Sequence, residues 1–175
     1  MPGHAHTVTS ATRLLLVLDG APASRRAVAY TGRMVGARAG VHLCLAMALP
    51  PLPPRLLEFR GAEDPEEEQR LDTQLKSQQL RFTNTARRRA ERERAAALAQ
   101  LRACGVPAES VETVFLEAAD GTAAADCILA LARKQRCRTV VIGHQPVSWF
   151  RELIGGDLAE TLVRTGRGVT IWVVD

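Results

Sequence analysis

The sequence predicts an α/β domain built on a doubly wound, five-stranded parallel sheet with flanking helices, Rossmann-like in its alternation. Three observations predict it. Short continuous apolar runs, of the kind that form strands buried on both faces, recur along the chain. Segments with apolar residues every three or four positions separate them, and Gly or Pro marks most junctions. At 175 residues the chain has room for one such domain.

Leu14 to Leu18, after Arg13, is an apolar run closed by Asp19 and Gly20, and reads as the first strand. After Gly20-Ala21-Pro22, residues Ala27, Val28, Thr31, Met34 and Val35 keep helical spacing, with Ser24 placed to cap the helix start. Gly40 ends that helix. Val41 to Ala48 forms a second strand, which Pro50, Pro51, Pro53 and Pro54 stop. Rich in proline and charge, Pro50 to Pro65 predicts a mobile loop with no element of its own.

From Glu66 to Ala103 a helical pattern returns, with Leu71, Leu75, Phe82, Ala86, Ala90, Ala97, Leu98 and Leu101 near one face and Gly105-Val106-Pro107 ending it. Unbroken, it spans about 55 Å at 1.5 Å per residue, more than a small sheet can cover. Its N-terminal part, up to about Phe82, is therefore expected to project, bend or pack against another subunit. Val111 to Leu116 is a third strand, and a helix capped by Thr122 carries Ala124, Cys127, Ile128, Leu131 and Ala132. Thr139 to Ile142 is a fourth strand. Asp157 starts the last helix with Leu158, Thr161, Leu162 and Val163, and Val169 to Val174 supplies the fifth strand. Residues 1–175 thus read as one domain with a loop-and-helix insertion at about 50–85.

Composition excludes several functions. Apolar residues make up 46% and charged residues 24%, too apolar for a disordered chain. A net charge of +4 is far from the balance of a dedicated nucleic-acid binder. Lys76 and Lys134 are the only lysines and neither follows a glycine-rich turn, so Schiff-base and Walker-type chemistry drop out. Gly166-x-Gly168 precedes a strand, not a helix, and is no dinucleotide fingerprint. No apolar run approaches the roughly 20 residues of a membrane span, and Met1 to Ala11 lacks the pattern of a secretory signal, which makes the expectation cytoplasmic. Cys44, Cys104, Cys127 and Cys137 have neither zinc nor disulfide spacing and read as buried or idle thiols. No metal site follows from His4 and His6. The run Arg87, Arg88, Arg89, Glu91, Arg92, Glu93, Arg94 reads as a solvated helix face whose glutamates pair locally.

In an open parallel sheet, ligands bind beyond the carboxyl ends of the strands where the strand order reverses. Attention falls on Asp19-Gly20-Ala21-Pro22-Ala23-Ser24 after strand one and on Gly143-His144-Gln145-Pro146 after strand four, with Gly155-Gly156-Asp157 leading into the last helix. Asp19 either ties the strand end to the next turn or contacts a ligand. His144 has no placed serine, cysteine or second histidine to work with, so no catalytic residue is assigned.

These two loops resemble those of the universal stress protein family. The family's first strand ends in Asp-Gly-Ser with a later Ser opening the helix, matched here by Asp19-Gly20 and Ser24, with Ala21 in place of the first serine. Its nucleotide-binding members carry Gly, two residues, Gly, nine residues, Gly and Ser or Thr after strand four. Gly143 and Gly156 fit the first and third glycines, while Pro146 and Asp157 replace the middle glycine and the Ser or Thr. The resemblance implies the family's five-stranded fold, a homodimer through the last strand, and adenosine contacts from Asp19 and the backbone near Ala46. It places Gly20, Gly143, His144, Gly156 and Asp157 around the same ligand.

Pro146 has no N–H to give a phosphate, and Asp157 sets a carboxylate where the phosphate would lie. Asp157 with Glu160 also fits a helix capping box. The reading is a regulatory or binding module of the stress response with a degenerate nucleotide site, holding no cofactor or ATP only weakly. Two alternatives stand beside it. One is an ATP-binding, slowly hydrolysing member in which Asp157 helps hold a metal ion; the other is an adaptor that works through the arginine-rich helix.

Overall fold

A computed structural model describes residues 12–58, 64–117, 124–144 and 158–175. Among these the elements run β1 (Thr12–Leu18), α1 (Pro22–Val35), β2 (Val41–Leu49), α2 (Pro65–Ala103), β3 (Val111–Glu117), α3 (Ala124–Lys134), β4 (Thr139–Gly143), α4 (Leu158–Thr165) and β5 (Thr170–Val174). All five strands are parallel, in the order β3-β2-β1-β4-β5. The order reverses beside β1, with β2 on one side and β4 on the other. The expected alternation holds, with boundaries within a residue or two of those read from the apolar runs.

Strand residues alternate between two layers. Leu14, Leu16 and Leu18 of β1, with Leu43, Leu45 and Met47 of β2, pack under α1 and α2. Leu15 and Val17, with Cys44, Ala46 and Ala48, pack on the opposite face against α3 and α4. Both faces of the central strands are covered, which is why their sequences are continuously apolar. β5 is an edge strand whose two faces split: Ile171 joins the α3/α4 side, while Trp172 and Val174 join the α1/α2 side.

α2 is one unbroken helix of 39 residues. Pro65 opens it, Glu66, Glu67 and Glu68 fill its first turn, and the Asp64 side chain accepts from the Glu66 N–H. Its buried residues, Ala90, Ala97 and Leu101, all lie in the C-terminal part. From Asp64 to Arg81 none is buried, so the helix projects along its N-terminal half.

The segment before α2 departs from expectation. Pro54–Leu56 forms a short 3-10 turn. Leu56 is buried, and Gln79 Nε2 donates to its carbonyl at 2.7 Å. An isolated leucine carries no period, so the sequence pattern could not reveal the anchor. Residues 59–63 of that segment, and the expected helix cap Thr122, lie outside the described residues.

Candidate functional site

Directly after β1, the chain turns at Gly20, whose φ of +78° lies in the left-handed region that favours glycine. Asp19 Oδ1 accepts from the Ala21 N–H at 3.0 Å, closing an Asx-type turn. Ala21 is the N-cap of α1 and Pro22 its first residue. The expectation that Ser24 caps this helix is therefore corrected. Ser24 lies inside the first turn, buried, and its hydroxyl donates to the Ala21 carbonyl at 2.8 Å. Pro22 has its φ set for N1 and needs no donor, which moves the helix start upstream of the serine.

Above this turn lies a cavity of about 320 Å³. Leu18, Asp19 and Gly20 of β1 and its loop, Met47 and Ala48 of β2, and Pro50 form one wall. The other wall is α2, through Phe82, Thr85, Ala86, Arg89, Ala90 and Glu93. Arg89 Nη2 lies 3.5 Å from the Gly20 carbonyl oxygen. Glu93, with a side chain only 15% exposed, accepts from two nitrogens of the Arg25 guanidinium on α1, with Nε to Oε2 at 3.0 Å and Nη2 to Oε1. That fork-to-carboxylate pair ties α1 to α2 beside the cavity mouth. A second chamber of about 280 Å³ shares Pro50, Phe82 and Ala86 with the first and continues toward Leu52, Leu57 and the Arg87–Glu117 ion pair.

Of the residues singled out in the sequence, Asp19 and Gly20 line the cavity. Ala46 does not: it is fully buried on the α3/α4 side, opposite Val17 and Val114, and the next two residues of β2 face the cavity instead. Gly143 backs the first turn of α1, where a Cβ would stand 2.3 Å from the Ala23 carbonyl carbon. His144 donates its backbone N–H to the Val174 carbonyl at 2.6 Å, extending the β4–β5 pairing, and is not among the cavity-lining residues. Gly156, Asp157 and Pro146 lie outside the described residues.

Sequence reasoning missed Phe82, Arg89 and Glu93. The available signal was spacing, since Phe82, Ala86 and Ala90 run at i, i+4, i+8, with Arg89 and Glu93 three residues after Ala86 and Ala90 on the adjoining face. The arginines read as a solvated face are partly engaged. Arg87 pairs with Glu117 on β3, Arg89 meets Gly20, and Arg94 pairs locally with Glu91. Among the described residues no three His, Cys, Asp or Glu side chains cluster as a metal site, and no helix is long and apolar enough to cross a membrane.

The same architecture occurs in solved structures. One from the universal stress protein family of Burkholderia pseudomallei matches with a TM-score of 0.58 and 17% identity, covering 99% of this chain and 98% of that one. A universal stress protein in complex with cAMP matches at 0.53 and 16% identity, covering 94% and 96%. No curated protein matches. The model of the universal stress protein family itself matches residues 11–168, nearly the whole of the folded sequence, and the chain belongs to that family.

Proposed function

We propose that this protein is a regulatory binding module that takes an adenine nucleoside or mononucleotide in the α2-walled cavity, with a degenerate phosphate site. The cavity carries the reading. At about 320 Å³ it falls at the small end of the range for ligand sites, roughly 300–1,000 Å³, which suits a nucleoside better than a triphosphate. It lies outside the carboxyl ends of β1 and β2, next to the point where the strand order reverses. Its walls are mostly apolar, with Asp19, Thr85, Arg89 and Glu93 as the polar side chains that would orient a base or ribose. A universal stress protein of the same fold is known in complex with cAMP.

The phosphate side supports weak binding. Two carboxylates line the cavity against one guanidinium, Arg89, and Pro146 and Asp157 stand where family members place a glycine and a hydroxyl. A homodimer joined along the β5 edge completes the proposal, because β5 is the outermost strand on its side and its Val173 is 44% exposed.

Calorimetric titration of the purified protein with adenosine, AMP, cAMP and ATP tests the ligand. Binding of the smaller compounds is expected between about 10 μM and 1 mM, with ATP weaker than AMP. Ala86→Trp, which places a ring in the cavity from the half-buried face of α2, should abolish it. Failure of every adenine compound at millimolar concentration, or ATP binding tightest, overturns the reading.

A further inference from the structure

At the amino-terminal ends of the strands, opposite the cavity, the charge is one-sided. Loops 36–40, 135–138 and 166–169 lead into β2, β4 and β5 and contain no Asp or Glu. They carry Arg38, Arg136, Arg138 and Arg167, and the last turn of α3 adds Arg133 and Lys134. All six side chains are exposed, and none has an ion-pair partner among the described residues. The described acids at this end, Glu109 and Glu112, lie at the β3 edge, where Arg13 engages Glu112 at 2.8 Å. A net charge of +4 conceals this pole, because acids such as Glu66, Glu67 and Glu68 stand at the far end of α2.

Arg133 and Lys134 complement the negative carboxyl end of α3, which accounts for their presence. Arg136 has no such account. Helices α2 and α3 end in the same hydrogen-bond pattern: the Val106 and Gly105 N–H groups donate to the Leu101 and Arg102 carbonyls at 3.1 and 2.9 Å, and the Cys137 and Arg136 N–H groups donate to the Ala132 and Arg133 carbonyls at 2.8 and 3.1 Å. This is the Schellman arrangement, whose left-handed residue is ordinarily glycine. Gly105 fills it with φ +84°, whereas α3 uses Arg136 at +55°, the one non-glycine residue with positive φ among those described. Strain of this kind persists where the side chain serves a purpose. Next to it Arg138 is fixed on both sides, its N–H donating to the Arg13 carbonyl at 3.2 Å and its carbonyl accepting from the Thr170 N–H at 2.8 Å.

We propose that this basic pole binds the phosphate backbone of a nucleic-acid duplex without reading its sequence. Neighbouring strands lie about 4.8 Å apart, so the row from β2 across β1 and β4 to β5 spans about 14 Å. A duplex carries one negative charge per about 1.7 Å of its axis, and a row of that length meets several phosphates at once. Arginine dominates the row, and its planar fork suits phosphate oxygens better than an ammonium does. The exposed large apolar side chains lie outside these three loops, which leaves neither a wedge for a bilayer nor a ring for stacking on single-stranded bases. The surface is separate from the cavity and independent of any nucleotide held there.

Fluorescence anisotropy of the full-length protein with a labelled DNA duplex of about 20 base pairs tests the proposal. At about 50 mM salt a Kd of about 10 μM is expected, with log K falling against log salt at a slope of about −3 to −4. Arg136→Gly should weaken binding about threefold to tenfold and flatten the slope by about one, while raising the melting temperature by about 2–4 °C. Movement in opposite directions separates a lost contact from a damaged fold. Arg138→Gln combined with Arg167→Gln should weaken binding further with an unchanged circular dichroism spectrum. Arg88→Gln combined with Arg92→Gln, on the exposed face of α2, should leave it within about twofold. The proposal is overturned by no binding at about 100 μM protein, by undiminished binding of the Arg136→Gly variant, by loss of binding in the α2 variant, or by tighter attachment to phosphatidylserine vesicles than to the duplex.

Discussion

Gly143 and Ala23 are in contact across the sheet-helix layer so closely that a Cβ on Gly143 would stand 2.3 Å from the Ala23 carbonyl carbon and 2.4 Å from its oxygen. Here the glycine serves packing: β4 abuts the first turn of α1 and thereby fixes the Asp19–Gly20 turn at the cavity. Because the neighbour is helix backbone, it cannot rotate away as a side chain would. Gly143→Ala should lower stability by about 3 kcal/mol, at the upper end for overpacking, read from the urea midpoint. It should also weaken any ligand held by Asp19. A variant as stable as the parent would show that α1 shifts freely at this point.

The proposed dimer has a usable probe at Val173. Trp172 is unsuitable, since its ring meets Tyr30 of α1 edge to face, with centroids 6.2 Å apart and planes at 86°. A charge at Trp172 would break the core as well as an interface. Val173, 44% exposed on the edge strand, can carry a charge in the monomer. Light scattering is expected to give a dimer for the parent and a folded monomer for Val173→Lys. A monomeric parent at micromolar concentration would remove the β5 interface from the functional reading.

Ionisation of two buried thiols, Cys44 of β2 and Cys137 just before β4, gives a pH dependence. Cys137 is lowered to about 7 from an ordinary value of 9.0, so its thiolate favours the folded state. That contribution is complete above the unfolded value and is lost as pH falls through about 7. Cys44 acts oppositely: raised on folding, it contributes below the ordinary thiol value and loses that contribution as pH climbs above it. The other groups acting on the pair are Arg13 from β1 and Glu112 from β3. Thiolate ultraviolet absorbance of the folded protein should show a step near pH 7 that Cys137→Ser removes and Arg13→Gln moves upward. A parent whose first thiol ionises only near 9 would contradict the assignment.

The parts of the fold that were legible from sequence are those where one residue pattern admits one structure. Leu14 to Leu18 and Leu43 to Leu49 are continuously apolar because helices cover both faces, and that alone implies a parallel sheet. The Asp19-Gly20 turn was legible because a strand end followed by glycine leaves few conformations. What stayed hidden depends on juxtaposition. The helical period of α2 identifies a face, yet nothing local says that Phe82, Arg89 and Glu93 overlie the β1–α1 loop. Ala46 falls short of the cavity because it lies deeper in β2: Met47 and Ala48, on opposite faces at the carboxyl end of the strand, are the residues that reach it.

The last prediction concerns the phosphate side. Restoring the family's residues through Pro146→Gly and Asp157→Ser should raise ATP affinity. Pro146→Gly returns a backbone donor, and Asp157→Ser keeps a side chain able to cap the following helix while removing a carboxylate. At an effective dielectric near 20 and a separation of about 5 Å, carboxylate and phosphate repel by roughly 3 kcal/mol. A helix N-terminus usually returns only about 0.3–1 kcal/mol, so the repulsion dominates. Relief of it corresponds to roughly a hundredfold tighter binding, the larger share from Asp157. Calorimetry with and without magnesium separates the two accounts of this aspartate. If the parent binds ATP at micromolar concentration only with magnesium, and Asp157→Ser abolishes it, then Asp157 holds a metal ion and the phosphate site is intact.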